Sequence, residues 1–204
     1  MTEDEGLRER KKRETRAAIS HAAIRLSARR GWDNVTIADI ADAANVSERT
    51  FRNYFANKAE AVAATHLERV LRTVDDLRAR PADEPIWDAV TTAVAAQYDA
   101  PVATGRGEAD AWAAGVRRVL AEPALAGELL KANAVAQDEL ATAIAERAGL
   151  DRTTDLYPRL VAAVVTAATG AVVGHWLLND PQEPVLPRLH AVLTELRAGI
   201  RETA

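Results

Sequence analysis

Between Thr36 and Lys58 the chain carries two short apolar-faced segments divided by a break, and no other stretch restricts its fold so tightly. Thr36 stands where a helix N-cap belongs. Asp39 lies three places on, so the pair can satisfy the first free backbone N–H groups as a variant of the capping box. Ile37, Ile40, Ala41 and Ala44 recur at helical spacing and make one narrow apolar face. Asn45 follows, a residue that tolerates the left-handed backbone needed to reverse a chain between helices. Val46 plugs the turn, Ser47 caps the next segment, and Glu48 puts a negative charge in its first turn, where the helix dipole favours it. Thr50, Phe51 and Phe55 are the expected anchors of this second helix. Glu48, Arg49, Arg52, Asn53 and Tyr54 are left wholly or partly exposed, and Asn57 is placed to cap a third helix from Lys58. Two short helices over a tight turn, the second presenting polar and basic groups, form the layout of a helix-turn-helix.

An ordinary helical hairpin with a solvated face would share the apolar spacing. Ala41, Ala43 and Ala44 argue against it, because they allow closer helix approach than a generic hairpin needs. The distribution of charge argues further. The whole chain has a formal net charge of −4, yet residues 1–58 hold 12 basic and 9 acidic side chains, a net of +3. Residues 59–204 carry 14 basic and 21 acidic, a net of −7. A basic front on an acidic body attracts a polyanion locally. The run from Arg8 to Arg13, upstream of the helix-turn-helix, suits phosphate or minor-groove contact.

These residues carry a resemblance. Ile19, Ala22, Ala23 and Leu26 of a first helix, then Arg30-Gly31-Trp32, Val46-Ser47, Thr50-Phe51, Tyr54-Phe55 and Asn57-Lys58 together resemble the DNA-binding domain of the TetR family of bacterial transcriptional regulators. The resemblance implies a helix of about three turns before Gly31, a reading unit at 36–54, and a long fourth helix leading into a regulatory domain. It implies phosphate contacts from Thr36, Tyr54 and Lys58. It places Ser47, Glu48, Arg49, Thr50 and Asn53 at the surface facing the groove, with Arg52 beside them. Glu48 stands where a basic or small residue is frequent in the family, Arg49 replaces a frequent glycine, Ala56 a frequent proline and Ser27 a bulky aromatic. Arg49 can bond guanine bidentately and Glu48 can accept from cytosine N4; the alternative is that both pair with neighbours on the protein surface.

Residues 59–204 read as helical throughout, rich in Ala, Leu, Val and Glu, without strand alternation or a hairpin signal. Breaks at Pro81 to Pro85, Pro101 to Gly107, Glu122-Pro123, Gly149 and Asp180 to Pro187 predict helices near 58–79, 86–98, 107–120, 123–148, 152–179 and 186–201. The predicted fold is all-α with about nine helices: a three-helix DNA-binding domain at 1–58 and a larger ligand-binding and dimerisation domain at 59–204.

Leu186, Leu189, Leu193, Leu196 and Ile200 follow a 3-4-3-4 spacing, a seam for another helix. Leu160 to Leu178 contains no charged residue, so it is either deeply buried or in a membrane. Its Thr166, Thr169, Gly170, Gly174, His175 and alanines favour burial, with one side on its own core and the other on a partner subunit. Leu160, Ala163, Ala167, Ala171 and Gly174 supply that second side. The resemblance agrees, since such regulators pair through their last two long helices. It also implies a pocket for a small organic effector, for which Trp87, Tyr98, Trp112 and Trp176 offer apolar walls. Asn133, Gln137, Thr166, Thr169 and His175 offer polar groups. Each of these nine residues has a plain alternative as ordinary core.

No enzyme signature is visible. Cysteine is absent, which removes thiol chemistry and Cys-based metal sites. His21, His66, His175 and His190 lack metal-ligand spacing, and no nucleotide loop or Gly-x-Ser-x-Gly occurs. No catalytic residue, metal or cofactor is expected. A chain of this kind reads as a cytoplasmic homodimeric regulator, a repressor released from a palindromic operator in double-stranded DNA by its effector. A ligand-responsive activator and an all-helical enzyme are the alternatives, and no membrane partner is expected. A non-specific DNA-coating protein would carry far more positive charge.

Overall fold

The computed structural model describes residues 3–98 and 106–199, and among them the chain forms nine α-helices and no strand. These are α1 (Glu3–Arg30), α2 (Ile37–Ala43), α3 (Glu48–Tyr54), α4 (Lys58–Ala79), α5 (Ile86–Ala96), α6 (Arg106–Leu120), α7 (Pro123–Ala148), α8 (Leu156–Asn179) and α9 (Leu186–Ala198). They gather into two compact units. One comprises Met1–Glu68 with Ala114–Asn133, the other Arg69–Ala113 with Ala134–Ala204. The middle helices α4, α6 and α7 thus contribute residues to both.

The first unit is organised by α1 to α3 and the start of α4. Ile19, Ala22 and Ala23 of α1 bury against Ile40 and Ala41 of α2, Phe51 and Phe55 around α3, and Val62 of α4. Val119 and Leu125, from the end of α6 and the start of α7, complete this core. Phe51 and Phe55 are fully buried with ring centroids 5.9 Å apart. Each such side chain removed from water contributes about 1.5–3 kcal/mol. Gly31 ends α1 at φ 88°, donating its N–H to the carbonyl of Ser27. The helix before it corrects the three-turn expectation, because α1 runs 28 residues and takes the Arg8–Arg13 run in as helix. Lys, Arg and Glu are good helix formers, and Arg10–Glu14 is an i,i+4 ion pair at 3.6 Å.

In the second unit Val74 and Leu77 of α4, Ala89, Val90 and Val94 of α5, Leu140 and Ile144 of α7 and Val161 and Val165 of α8 form one core. Helix α9 packs against α5 and α8. This corrects part of the expected pairing seam. Leu189 and Leu193 are fully buried in the unit's own core, Leu196 packs partly buried beside them, and Leu186 is half-buried. The 3-4 spacing was a true stripe, spent within the chain. Ile200, the last member, lies outside the described residues. On α8, long and apolar enough by length and composition to cross a membrane, Val161, Ala162, Val165, Val172 and Leu177 are buried in the unit's core. Its opposite side leaves Leu156, Leu160 and Leu178 exposed, together with Ala167 and Ala171. Ala163 and Gly174 are half-buried, and a Cβ added at Gly174 would meet no atom within 4 Å.

Candidate nucleic-acid interface

Local chemistry sets the two short helices. Thr36 accepts at its Oγ1 from the Asp39 N–H at 3.1 Å, and Asp39 accepts from the Thr36 N–H at 2.8 Å, a reciprocal capping box. Asp39 also takes a bond from the Thr36 hydroxyl, and Arg30 donates to it at 3.3 Å. The bonds from Thr36, side chain first and then backbone, hold the Asp39 carboxyl below its usual range; the Arg30 charge adds to the effect. Asn45 takes φ 54°, while Val46 and Asn45 donate their N–H groups to the carbonyls of Ala41 and Asp42. That closes α2 with a left-handed cap, as the sequence predicts for an asparagine there. Ser47 then caps α3, accepting from the Thr50 N–H at 3.1 Å. Asn57 caps α4 through the Glu60 N–H, and Glu60 reaches back to the Ala56 N–H.

The outer surface of α3 carries the groove-facing set. Ser47, Glu48, Arg49, Arg52 and Asn53 are exposed, as is Thr36 at the start of α2; Thr50 and Tyr54 are half-buried. Glu48 and Arg52 lie one helical turn apart at 3.9 Å, an exposed pair of little energetic consequence. Arg49 has no hydrogen bond or ion pair among the described residues, so its guanidinium is available for an external acceptor.

Two fasteners were not legible as such in the sequence. Arg16 of α1 donates to the carbonyl of Tyr54 at 3.4 Å and lies 4.5 Å from the centroid of the Phe55 ring, so α1 holds the end of α3. Lys58, expected to grip a phosphate, is half-buried. Its ammonium donates to the carbonyls of Trp32 and Val35 and sits 4.2 Å from the centre of the Trp32 ring. Burial pushes its pKa below the ordinary lysine value, opposed by the charges of Asp33 and Glu122.

The expected effector-pocket residues sit in varied surroundings. Trp87, Tyr98 and Trp176 pack against the core of the second unit, and Trp176 also donates its indole N–H to the Glu183 carbonyl. Trp112 and Gln137 are half-buried. Thr166 bonds its own helix at the Ala162 carbonyl. The Thr169 hydroxyl is buried without a hydrogen-bond partner. Asn133 belongs to the first unit, where it meets His66 at 3.2 Å. His175 is exposed and borders an open groove of about 490 Å³ between α8 and α9, together with Ala171, Val172, Arg188 and Val192.

With this geometry in hand, likeness to known proteins is specific. The chain is 34% identical over 178 residues to the HTH-type transcriptional regulator TcmR of Streptomyces glaucescens, covering 85% of this chain and 78% of that one. Solved structures of the same fold include the fatty acid degradation regulator FadR from Bacillus halodurans, at TM-score 0.59 and 19% identity over 93% of this chain and 97% of that one. Another is the transcriptional regulator FadR from Bacillus subtilis in complex with stearoyl-CoA, at TM-score 0.56 and 18% identity over 90% and 98%. Residues 84–201 match the MftR C-terminal domain, and residues 19–65 match the family described as bacterial regulatory proteins, tetR family. A capped helix-turn-helix on a helical body, together with these matches, identifies the chain as a member of the tetR family of bacterial regulatory proteins.

Proposed function

We propose that the protein is a cytoplasmic, homodimeric repressor that holds a palindromic operator through two copies of α3 and lets go when a small organic effector occupies its body. Residues 1–58 read DNA; residues 59–204 pair the chains and respond to the effector. The observation that carries this reading is the outer face of α3. Arg49, Asn53 and Ser47 stand exposed on a helix capped at its start by Ser47 and anchored from below by Phe51 and Phe55. Arginine and asparagine are the side chains best shaped for bidentate contacts to guanine and adenine edges in the major groove.

Pairing is supported by the outer side of α8, where Leu156, Leu160 and Leu178 are 73, 54 and 66% exposed. Apolar surface of that kind along a single helix face marks an interaction site. One short recognition helix buries too little to be selective, whereas a two-fold dimer reads two half-sites one helical repeat apart. An effector site in the body is supported by the Thr169 hydroxyl, whose unmet hydrogen bond among apolar helices is a cost that a polar ligand atom would remove. The effector acts by binding two spacings of the paired reading heads unequally; tight binding alone would release nothing. The protein works by binding and not by turnover.

The test is a titration of the full-length protein against an operator duplex and a shuffled duplex of equal length over a range of salt concentrations. Two chains per operator duplex, and an affinity for it about 10³-fold or more above that for the shuffled duplex, are expected. One chain per duplex, or equal affinities, would overturn the reading.

A further inference from the structure

Most described arginines of the second unit face a carboxylate. Arg78, Arg152 and Arg197 pair with Glu146, Asp138 and Asp88, while Arg80 and Arg147 share Glu84. Arg69 of α4 has no such partner. It is half-buried, and no ion pair or hydrogen bond engages its guanidinium among the described residues. The guanidinium carbon instead lies 5.0 Å from the centroid of the Tyr98 ring. Contact with a ring face draws on the charge and leaves the five N–H donors unspent. Partial burial of a guanidinium with its donors unmet is costly until an acceptor arrives.

The described acids nearby are spoken for. Glu68, next to Arg69 in sequence, takes the Ser20 hydroxyl at 3.3 Å, and Asp75 acts on Arg78. Arg72, one turn along α4, donates to the Gln97 side chain at 3.1 Å, and Gln97 donates to Asp76 at 2.5 Å. The last carbonyls of α5 attract cations weakly, but no hydrogen bond from Arg69 reaches them. Two guanidiniums against Asp76 leave this spot locally positive within residues 59–204, whose net charge is −7. A carboxylate or a phosphate ester matches the fixed fork of donors on Arg69 better than a neutral acceptor does.

Tyr98 carries the site inward. It and Val70, the residue after Arg69, pack against the core to which α4, α5, α7, α8 and α9 contribute. On α8, Val165, Val172 and Trp176 face that core, and Thr169 falls on the same stripe by helical spacing. Its hydroxyl is the buried group without a partner. A cation at the rim thus precedes aromatic and aliphatic walls with one unmet hydroxyl among them. We propose that the effector is an organic acid, its carboxylate or phosphate ester seated on Arg69 over Tyr98 and its apolar body directed into this core toward Thr169. This rests on the effector-binding function above and names the chemistry of its ligand.

The experiment titrates decanoate, decyl phosphate and decanol, the uncharged match, into the full-length protein and into Arg69→Gln below their micellar concentrations. Binding is read by calorimetry, and operator affinity is measured in parallel. One of the acids is expected to bind the parent at least about tenfold more tightly than decanol and to weaken operator binding. The preferred acid identifies the headgroup as carboxylate or phosphate. Arg69→Gln should bring that acid to the level of the alcohol while leaving decanol binding unaltered. Arg69→Met, which keeps the apolar stem, takes its place should Arg69→Gln not fold. Decanol bound as tightly as both acids would leave an effector site and overturn its anionic character. A preference for acid that survives the loss of Arg69, or that vanishes with Arg72→Gln alone, overturns the role of Arg69. Binding of none of the three overturns the proposal, whereas an acid that binds and leaves operator affinity unchanged overturns the effector function on which it rests.

Discussion

Replacing Gly115 by alanine should destabilise this protein, against the usual rule for a glycine inside a helix. Alanine in a helix interior is favoured over glycine by about 0.8–1.0 kcal/mol, because it restricts the unfolded chain. At Gly115 of α6, however, an added Cβ would lie 2.1 Å from the carbonyl oxygen of Ala28 and 2.8 Å from its carbonyl carbon. Both atoms are backbone of α1, so no rotamer change relieves the clash; α6 must back away from α1 by more than an ångström. Overpacking of this kind costs about 1–3 kcal/mol, and a rigid backbone neighbour belongs at the upper end. The net is a loss of about 1–2 kcal/mol, or roughly 2–8 °C in Tm for a chain of this size. Gly127 is the control. It also sits inside a helix of the same unit, but its added Cβ meets nothing within 4 Å. Gly127→Ala should therefore raise Tm by about 2–4 °C. Calorimetric unfolding of both variants decides the matter. A Gly115→Ala protein as stable as Gly127→Ala would refute the inferred contact between α6 and α1.

Arg147→Ala should lower stability by about 2–3 kcal/mol in chemical denaturation. Its side chain is only 10% exposed and donates to the carbonyls of Arg80, Pro81 and Glu84, all of which lose that donor, although Pro81 keeps a bond from the Glu84 N–H. Thr36→Ala should cost about 1 kcal/mol at neutral pH through loss of the α2 cap. Since the folded Asp39 carboxyl titrates below its ordinary 3.8, its contribution is present above that value and lost as pH falls through the lower folded one. The gap between variant and parent in denaturation midpoints should accordingly narrow in acid and not widen. Leu160→Arg, on the exposed side of α8, should give a folded monomer by sedimentation and abolish operator binding at concentrations where the parent binds. A dimer that persisted would place pairing elsewhere.

Much of this fold could be read from local chemistry. The capping pairs Thr36–Asp39 and Ser47–Thr50 and the left-handed Asn45 involve residues only a few places apart, so sequence alone located α2 and α3. Prolines and glycines likewise mark the ends of α4 and α7 and the start of α9, but α9 stops at Ala198, short of the predicted 201, where Gly199 takes φ 88°. Helix α8 starts at Leu156, later than the predicted 152. Asp151 accepts from the Thr153 N–H and Asp155 from the Asp151 N–H, so these aspartates build a turn ahead of the helix. Long-range facts were hidden for a plain reason. The stripe on α9 has the same spacing whether it faces α5 and α8 or a second chain, and only the packing of Leu189 and Leu193 decides. Similarly, nothing local distinguishes a lysine aimed at solvent from one aimed at carbonyls some two dozen residues upstream. Arg16 fastens α3 from α1 across a longer gap of 38 residues and carries no motif to announce it.

The proposed function requires the exposed face of α3, presented twice by a symmetric pair, to read base edges. The most direct measurement selects bound duplexes from a random pool with the parent protein and with Arg49→Ala, side by side. The parent is expected to enrich an inverted repeat whose half-sites lie about 10 base pairs apart or a multiple of that. Arg49→Ala should enrich the same repeat with preference relaxed at one base pair in each half, a loss of about 1–3 kcal/mol there. No inverted repeat from the parent, or an Arg49→Ala selection that weakens all sequences equally, would contradict it.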